Sequence, residues 1–315
     1  MRSKQIAVIG LYGMSALFRL ERLPAEGETV GSVGLCFEGG GKGYNQALGA
    51  LRAGGEVFFA TAVGEDAYGR QAEEVFRADG LRRFTCLRNA QAATAFAAVA
   101  SDAAGRNIVI VEQGACAQVT PAQIDSLEAE LAQCAVLLVQ CEMPGNAVRR
   151  ALELGRRHGL RTICNPAPAV SLPEGTLALA DVVTPNLGEA RALAGLPQGE
   201  PEALCRRLRE LGCRDIIITL GGKGAYVSPA GAAGYLQPPF PVHCVDSTGA
   251  GDNFNGALAA RLAEGASLGE AVRYAAASSA LSVTRRGVLQ AIPTHSQVEA
   301  FLSKFPGKAW LGEQI

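Results

Sequence analysis

The sequence predicts an α/β fold: a doubly wound, mostly parallel sheet with helices on both faces, and a small β-sheet lid. Three observations predict it. Short β-rich runs alternate with Ala/Leu-periodic segments along all 315 residues, the pattern of a parallel sheet covered by helices. The runs "AVLLVQ" (135–140) and "DIIITL" (215–220) are apolar on both sides, as strands of a fully covered sheet must be. Residues 28–37 and 93–113 break the rhythm, with strand-like runs and no helix between them.

By these criteria strands are expected at 6–10, 57–62, 135–140, 161–165, 181–184 and 216–220, where apolar runs are short. Helices are expected at 45–53, 67–79, 121–133, 146–158, 202–212, 252–264 and 268–284, where the apolar period lengthens. The lid is expected from about 12–38 and 92–113, with a turn at 102–105. No long polar linker, low-complexity tract or internal repeat interrupts the chain, so one domain over 1–315 is expected.

Composition restricts the partners. Apolar residues make up 48% of the chain, enough for a large core, and 29 Lys+Arg against 30 Asp+Glu leave a net charge of −1. No global field therefore favours nucleic acid or an anionic membrane, and small-molecule partners are expected. The nine cysteines are odd in number, form no C-x-x-C pair and mostly sit in apolar runs, which fits reduced, buried thiols. The apolar run of the N-terminus is too short for a signal peptide, and no stretch approaches the ~18 apolar residues of a membrane span. A cytoplasmic location is expected. His158, His243 and His295 lie far apart without metal-ligand spacing and are read as structural or surface residues.

Chemistry is sought in the loops after the strands, at the carboxyl end of such a sheet. "EGGGKGYNQALGALRAGG" (38–55) places Gly39 to Gly41 before Lys42 and Asn45, so backbone can approach a ligand that a charge and an amide then hold. It is not a P-loop, because Gly43 follows Lys42 where Ser or Thr is needed, and "GGKG" at 221–224 fails the same test. The dinucleotide fingerprint is absent too, since Gly10-x-x-Gly13 follows the first strand, which counts against an NAD-dependent oxidoreductase. "DSTGAGDNFNGAL" (246–258) places Gly249, Ala250 and Gly251 at a helix start, an anion site suited to a phosphoryl group, with Asp252 in the first turn. A cap would explain Asp252 alone. Beside a phosphate, its task would be to accept the proton of an attacking hydroxyl.

"GGKGYNQA" (40–47) with "AVGED" (62–66), and "DSTGAGDNFNGAL", resemble the two signatures of the ribokinase-like (PfkB) carbohydrate kinase family. "PAEGETV" (24–30), "NPAP" (165–168), "TPNLGEA" (184–190), "ITLGGKGAY" (218–226) and "VTRRG" (283–287) follow in the family's order, so the resemblance covers nearly the whole chain. It implies transfer of phosphate from ATP, with Mg²⁺, to a hydroxymethyl group of a small sugar or derivative. Asp252 would be the base, with Gly249, Ala250 and Gly251 as the anion hole. Gly41, Lys42, Asn45 and Glu142 would hold the substrate, with Gly13 and Ser15 on the lid side. Asn186, Thr219, Gly221 and Gly224 would hold the nucleotide, and Glu189 the magnesium-bound phosphates. Asp246 and Thr248 would lie at a loop for K⁺ or a similar ion. A homodimer through paired lids is also implied, favoured by Val33, Leu35, Phe37, Phe96 and Val99 alternating on a poorly covered sheet face.

Departures affect the substrate grip. Where the family carries Asn-Ala-Asp after the first strand, this chain has Gly13-Met14-Ser15, and Ala276 and Ala291 replace a His and a Ser of the nucleotide and cation sides. One consequence would be room at Gly13, poor binding of ribose, and a ligand with an added apolar or planar group such as a nucleoside. Alternatively Glu38 or another lid side chain supplies the carboxylate and ribose remains the substrate. A sugar- or nucleotide-binding protein without catalysis is the competing class, opposed by the intact Asp252, Lys42 and N-x-x-E.

Overall fold

A computed structural model of the chain describes residues 4–102 and 106–306. Its first half holds strands β1 (Gln5–Ile9), β2 (Gly13–Leu20), β3 (Gly34–Gly40), β4 (Glu56–Gly64), β5 (Arg83–Asn89), β6 (Ala95–Asp102), β7 (Asn107–Glu112) and β8 (Val136–Gln140). Between them lie helices α1 (Lys42–Arg52), α2 (Ala67–Ala78), α3 (Pro121–Asp125) and α4 (Glu128–Leu131). The second half follows with α5 (Gly145–Arg157), β9 (Arg161–Asn165), β10 (Val182–Val183), α6 (Leu187–Ala194), α7 (Pro201–Glu210) and β11 (Asp215–Thr219). It ends in β12 (Ala225–Ser228), β13 (Tyr235–Gln237), α8 (Ala250–Ala263), α9 (Leu268–Ser282) and α10 (His295–Leu302).

Among the described residues the main sheet runs β13-β12-β11-β10-β9-β8-β1-β4-β5, parallel except for the β12 and β13 edge. Period-two alternation divides its side chains between two cores. Ile6, Val8, Val136 and Leu138 face α1, α2, α8 and α9, whereas Ala7, Ile9, Leu137 and Val139 face α5, α6 and α7. Strands buried on both faces are why the sequence runs were apolar on both sides. The helix expected over 121–133 is two short pieces. Ser126 Oγ donates to Gln123 O at 2.7 Å and Leu127 N bonds Ile124 O, a tightened turn that ends α3.

The lid is a separate sheet of order β3-β2-β6-β7, with β2 parallel to β6. Its central strand β2 lies within the 12–38 span expected to contribute to the lid. The strand expected over 28–37 instead covers Gly34–Gly40, because Glu28 accepts Ala25 N at 3.0 Å and holds 25–28 in a turn. Residues 103–105 of the expected 102–105 turn lie outside the described residues.

Register corrects the expected apolar face. Leu35–Phe18–Ala100–Ile108 and Phe37–Ala16–Ala98–Ile110 are cross-strand rows on one side, but Val99 pairs with Leu17 and Val109 on the other. Val33 precedes β3, and Phe96 stacks on Tyr68 at 5.9 Å. Six cysteines are buried, whereas Cys36 and Cys244 are exposed. His158 bonds Glu128 and His295 bonds Tyr274, in keeping with structural roles. No helix among the described residues is long and apolar enough to cross a membrane.

Candidate active site

Two helices that start at the carboxyl end of the sheet build the site. α1 and α8 pack closely because glycine lines the crossing: a Cβ at Gly256 would lie 2.4 Å from Gln46 O and 2.6 Å from Ala50 N. Gly43 serves the same close approach to β1, where a Cβ would meet the Gly10 backbone at 2.5 Å. These contacts bring Asn45 and Gln46 of α1 onto Asp252 of α8.

Asp252 is 8% exposed. Its Oδ2 accepts Asn45 Nδ2 at 2.9 Å and its Oδ1 accepts Gln46 Nε2 at 3.0 Å. A buried amide chain stands behind it: Gln140 Nε2 donates to Gln46 Oε1 at 2.7 Å, and Gln46 Nε2 also reaches Asn165 Oδ1 at 3.0 Å. Asn165 Nδ2 donates to Thr184 O, Thr184 Oγ1 to Asn255 Oδ1, and Asn255 Nδ2 back to Gly251 O at 2.9 Å. The ends of β8, β9 and β10 are thereby tied to the first turn of α8.

That turn retains unused donors. Gly249 is the N-cap at φ 75°, without a side-chain cap bond. Ala250 N is tied to Ser247 O at 3.2 Å, so of the three N–H groups expected to hold an anion this one is engaged. The N–H groups of Gly249, Gly251 and Asp252 have no acceptor among the described residues. A Cβ at Gly251 would meet nothing within 4 Å, so packing does not demand glycine there and the space before it is open to a ligand.

Lys42 opens α1 after Gly41, whose φ of 102° and close approach to Leu11 O require glycine. Its backbone N donates to Glu142 Oε2 at 2.9 Å. The carboxylates of Asp252, then Glu142 and Glu189, push the Lys42 ammonium pKa up against the opposing effect of burial. Burial, only partly offset by Lys42, pushes Glu142 up to about 7. The folded chain therefore binds a proton at Glu142 that the unfolded chain has lost, and this stabilisation disappears as pH rises from about 4.5 through 7. Glu142→Gln should consequently gain in stability relative to the wild type across that window, by on the order of 3 kcal/mol. Thermal melts of both proteins at pH 5 and pH 8 test it, and a pH-independent difference would contradict it.

A cavity of about 430 Å³ is lined by Lys42, Glu142, Pro168 and, from the lid side, Val111 to Gln113. A larger one, about 570 Å³, follows residues 169–177. Glu174 and Glu210 are its ionisable lining residues, and it holds none of the converging groups just described, whereas the smaller cavity holds Lys42 and Glu142.

The remaining candidates divide. Asn186 and Glu189 form a capping box at the start of α6, Asn186 Oδ1 accepting Glu189 N at 2.9 Å and Glu189 Oε2 accepting Asn186 N at 2.8 Å. Asn186 bridges to Thr219, placing both beside the open Gly221. Gly224, at φ 89°, is required by the backbone of Gln237, 2.1 Å from its would-be Cβ. Asp246 Oδ1 accepts Thr248 N and Oγ1, and its Oδ2 accepts Gly287 N, so these residues tie their own loop. The expected room at Gly13 is not there, because a Cβ would sit 2.5 Å from Ala95 O in the adjacent lid strand. Gln46, Gln140, Asn165, Thr184 and Asn255 were missed as site residues. The signal available was a polar side chain closing an apolar strand, as in "LLVQ", or following Asn45 in the glycine-rich loop.

Comparisons with known proteins identify the family. The pfkB family carbohydrate kinase profile matches residues 3–295. A ribokinase of Bacillus subtilis is 35% identical over 302 residues, 95% of this chain and 100% of that protein. A deoxyribokinase of Salmonella typhimurium is 30% identical over 95% of this chain and 98% of its own. The Arabidopsis thaliana ribokinase solved with ribose and ATP superposes with a TM-score of 0.86, at 27% identity, over 96% of this chain and 99% of its own. With a buried carboxylate at an open helix N-terminus and these relatives along its length, the chain belongs to the pfkB family of carbohydrate kinases and is an ATP-dependent sugar kinase.

Proposed function

We propose that the chain phosphorylates the hydroxymethyl group of a pentose or pentose derivative, with Asp252 as general base. One observation carries this reading: Asp252, gripped by two amides, adjoins N–H groups that have no acceptor among the described residues. Ribokinases and a deoxyribokinase among the relatives support the pentose class. The hydroxyl oxygen attacks the terminal phosphorus, its proton passes to Asp252, and the bond to departing ADP breaks. The free amides at Gly249, Gly251 and Asp252 meet the charge on the transferring group. Lys42 remains an ammonium among three carboxylates, beside Gly41 and Asn45, while Glu142 fixes its backbone.

Asn186, Thr219, Gly221 and Gly224 border the nucleotide. Three carboxylates around one lysine leave the site net negative, so an incoming polyphosphate needs its own counter-cation. Among the described residues no cluster of three or more His, Cys, Asp or Glu could cage a metal. Mg²⁺, bound mainly by phosphates and water, needs only one or two protein carboxylates, here Glu189, and would neutralise phosphate charge. Asp246 Oδ1 accepts from Thr248 and Oδ2 from Gly287 alone, so a K⁺-like ion at this loop would be held by backbone carbonyls with the remaining lone pair of Asp246 Oδ2. ADP release over pentoses, deoxypentoses, nucleosides and modified sugars, with Mg²⁺ and K⁺ varied, tests the reading. Stimulation by a pentose is expected, and its absence for every pentose would remove it.

The lid further supports a homodimer. Leu35, Phe37, Ile108 and Ile110 are each at least 45% exposed on one lid face, which burial against a second copy would cover. Sedimentation at micromolar concentration should give a dimer and Ile110→Asp a monomer; a monomeric wild type would contradict this.

A further inference from the structure

The lid carries a carboxylate that the chemistry above does not use. Glu38 on β3 pairs with Ser15 on β2, Ser15 with Ala97 on β6, and Ala97 with Val111 on β7. Directly opposed residues share a sheet face, so these four form one row across the lid. Val111, at its far end, lines the cavity that holds Lys42 and Glu142. Glu112 lines it too, so the choice of face rests on Glu38, which feels the charge of Asp246 in the loop before α8: the row is on the lid face turned to the site, opposite the rows of Leu35 and Phe37.

Glu38 is half-buried, and neither a hydrogen bond nor an ion pair holds it among the described residues. Burial, and secondarily the charge of Asp246, push its pKa up. A desolvated carboxylate without a partner needs a donor. No lysine or arginine supplies one, and Ser15 opposite is too short to fill the space. A cation shared with Asp246 is a poorer fit, because both oxygens of Asp246 are already engaged and one free carboxylate is too few ligands. Neutral hydroxyls remain.

We propose that Glu38 is a specificity-determining residue that accepts hydrogen bonds from the ring hydroxyls of the sugar, on the side away from the phosphorylated carbon. The assignment rests on the proposed seat of the sugar beside Lys42 and Asp252. It makes the selected ligand a polyol with free hydroxyls facing the lid. Ribose then stays a good ligand although Ser15 carries no charge.

Calorimetric titration of D-ribose and its singly deoxygenated analogues into wild type and Glu38→Gln, without nucleotide, tests this. Wild type should bind ribose and lose affinity ~10- to 100-fold for at least one deoxy analogue, the worth of a charge-assisted hydrogen bond. In Glu38→Gln that discrimination should collapse to within about threefold. Glu38→Ala, read with a thermal melt, repeats the test should the first variant fold poorly. Discrimination that persists in both variants, equal binding of all analogues by wild type, or no binding of ribose would each overturn the assignment. Sugar-stimulated ADP release is recorded in parallel. Wild-type binding without turnover would sink the proposed chemistry and leave Glu38 standing, whereas turnover with unchanged discrimination would do the reverse.

Discussion

Asp252→Asn is expected to lower kcat by roughly 10²–10⁴ while leaving folding and ATP binding nearly intact. Asparagine keeps the shape of the side chain and can still meet one of the two amides at 2.9 and 3.0 Å. It cannot take up the proton of the attacking hydroxyl. The free amides of the first turn of α8 remain, so residual turnover from phosphoryl positioning should persist. KM for the sugar should change little, because Lys42 and Asn45 are untouched. Steady-state kinetics beside a thermal melt decide the matter, and more than about a tenth of wild-type activity would reduce Asp252 to a structural partner of Asn45 and Gln46.

Gln46→Glu is expected to lower kcat at pH 7 by roughly 10- to 100-fold and to move the acid limb of the pH profile upward. The change replaces a donor by an acceptor between two acceptors, Asp252 Oδ1 and Asn165 Oδ1, each 3.0 Å away. Two carboxyl groups so placed share a proton, and the pair must lose it before Asp252 can act as a base. Activity should therefore recover partly as pH rises. A loss of equal size at every pH would mean that Gln46 only supports packing.

Much of the fold was legible because burial writes itself into a sequence with a period. The runs at 135–140 and 215–220 became β8 and β11, and the Ala/Leu segments other than 121–133 became helices close to where expected. β5 and the β12–β13 edge were not anticipated, since partly exposed strands such as "RFTCLRN" carry mixed side chains without a clear alternation. The single helix drawn over 121–133 failed for a local reason, the competing bond of the Ser126 hydroxyl.

The site was legible in a different way. Asp252, Lys42, Asn45 and the glycines could be chosen from the chain because rare local patterns, small residues before a charge at a helix start, have few other uses. The buried amides behind them could not. Gln46, Gln140 and Asn165 are distant in sequence, and their roles exist only where three strand ends meet α1 and α8.

By itself the sequence determined the class of fold, the mostly parallel sheet and the place of Asp252 in the first turn of α8. Each follows from local period or local backbone freedom, which need no partner to be read. Tertiary structure decided the rest. It turned N-x-x-E into a capping box, filled the space at Gly13 with the Ala95 backbone, and put Glu38 on the lid face opposite Leu35 and Phe37. Strand register decides such matters, because a shift of one residue would exchange the two faces, and register is fixed by contacts between distant segments.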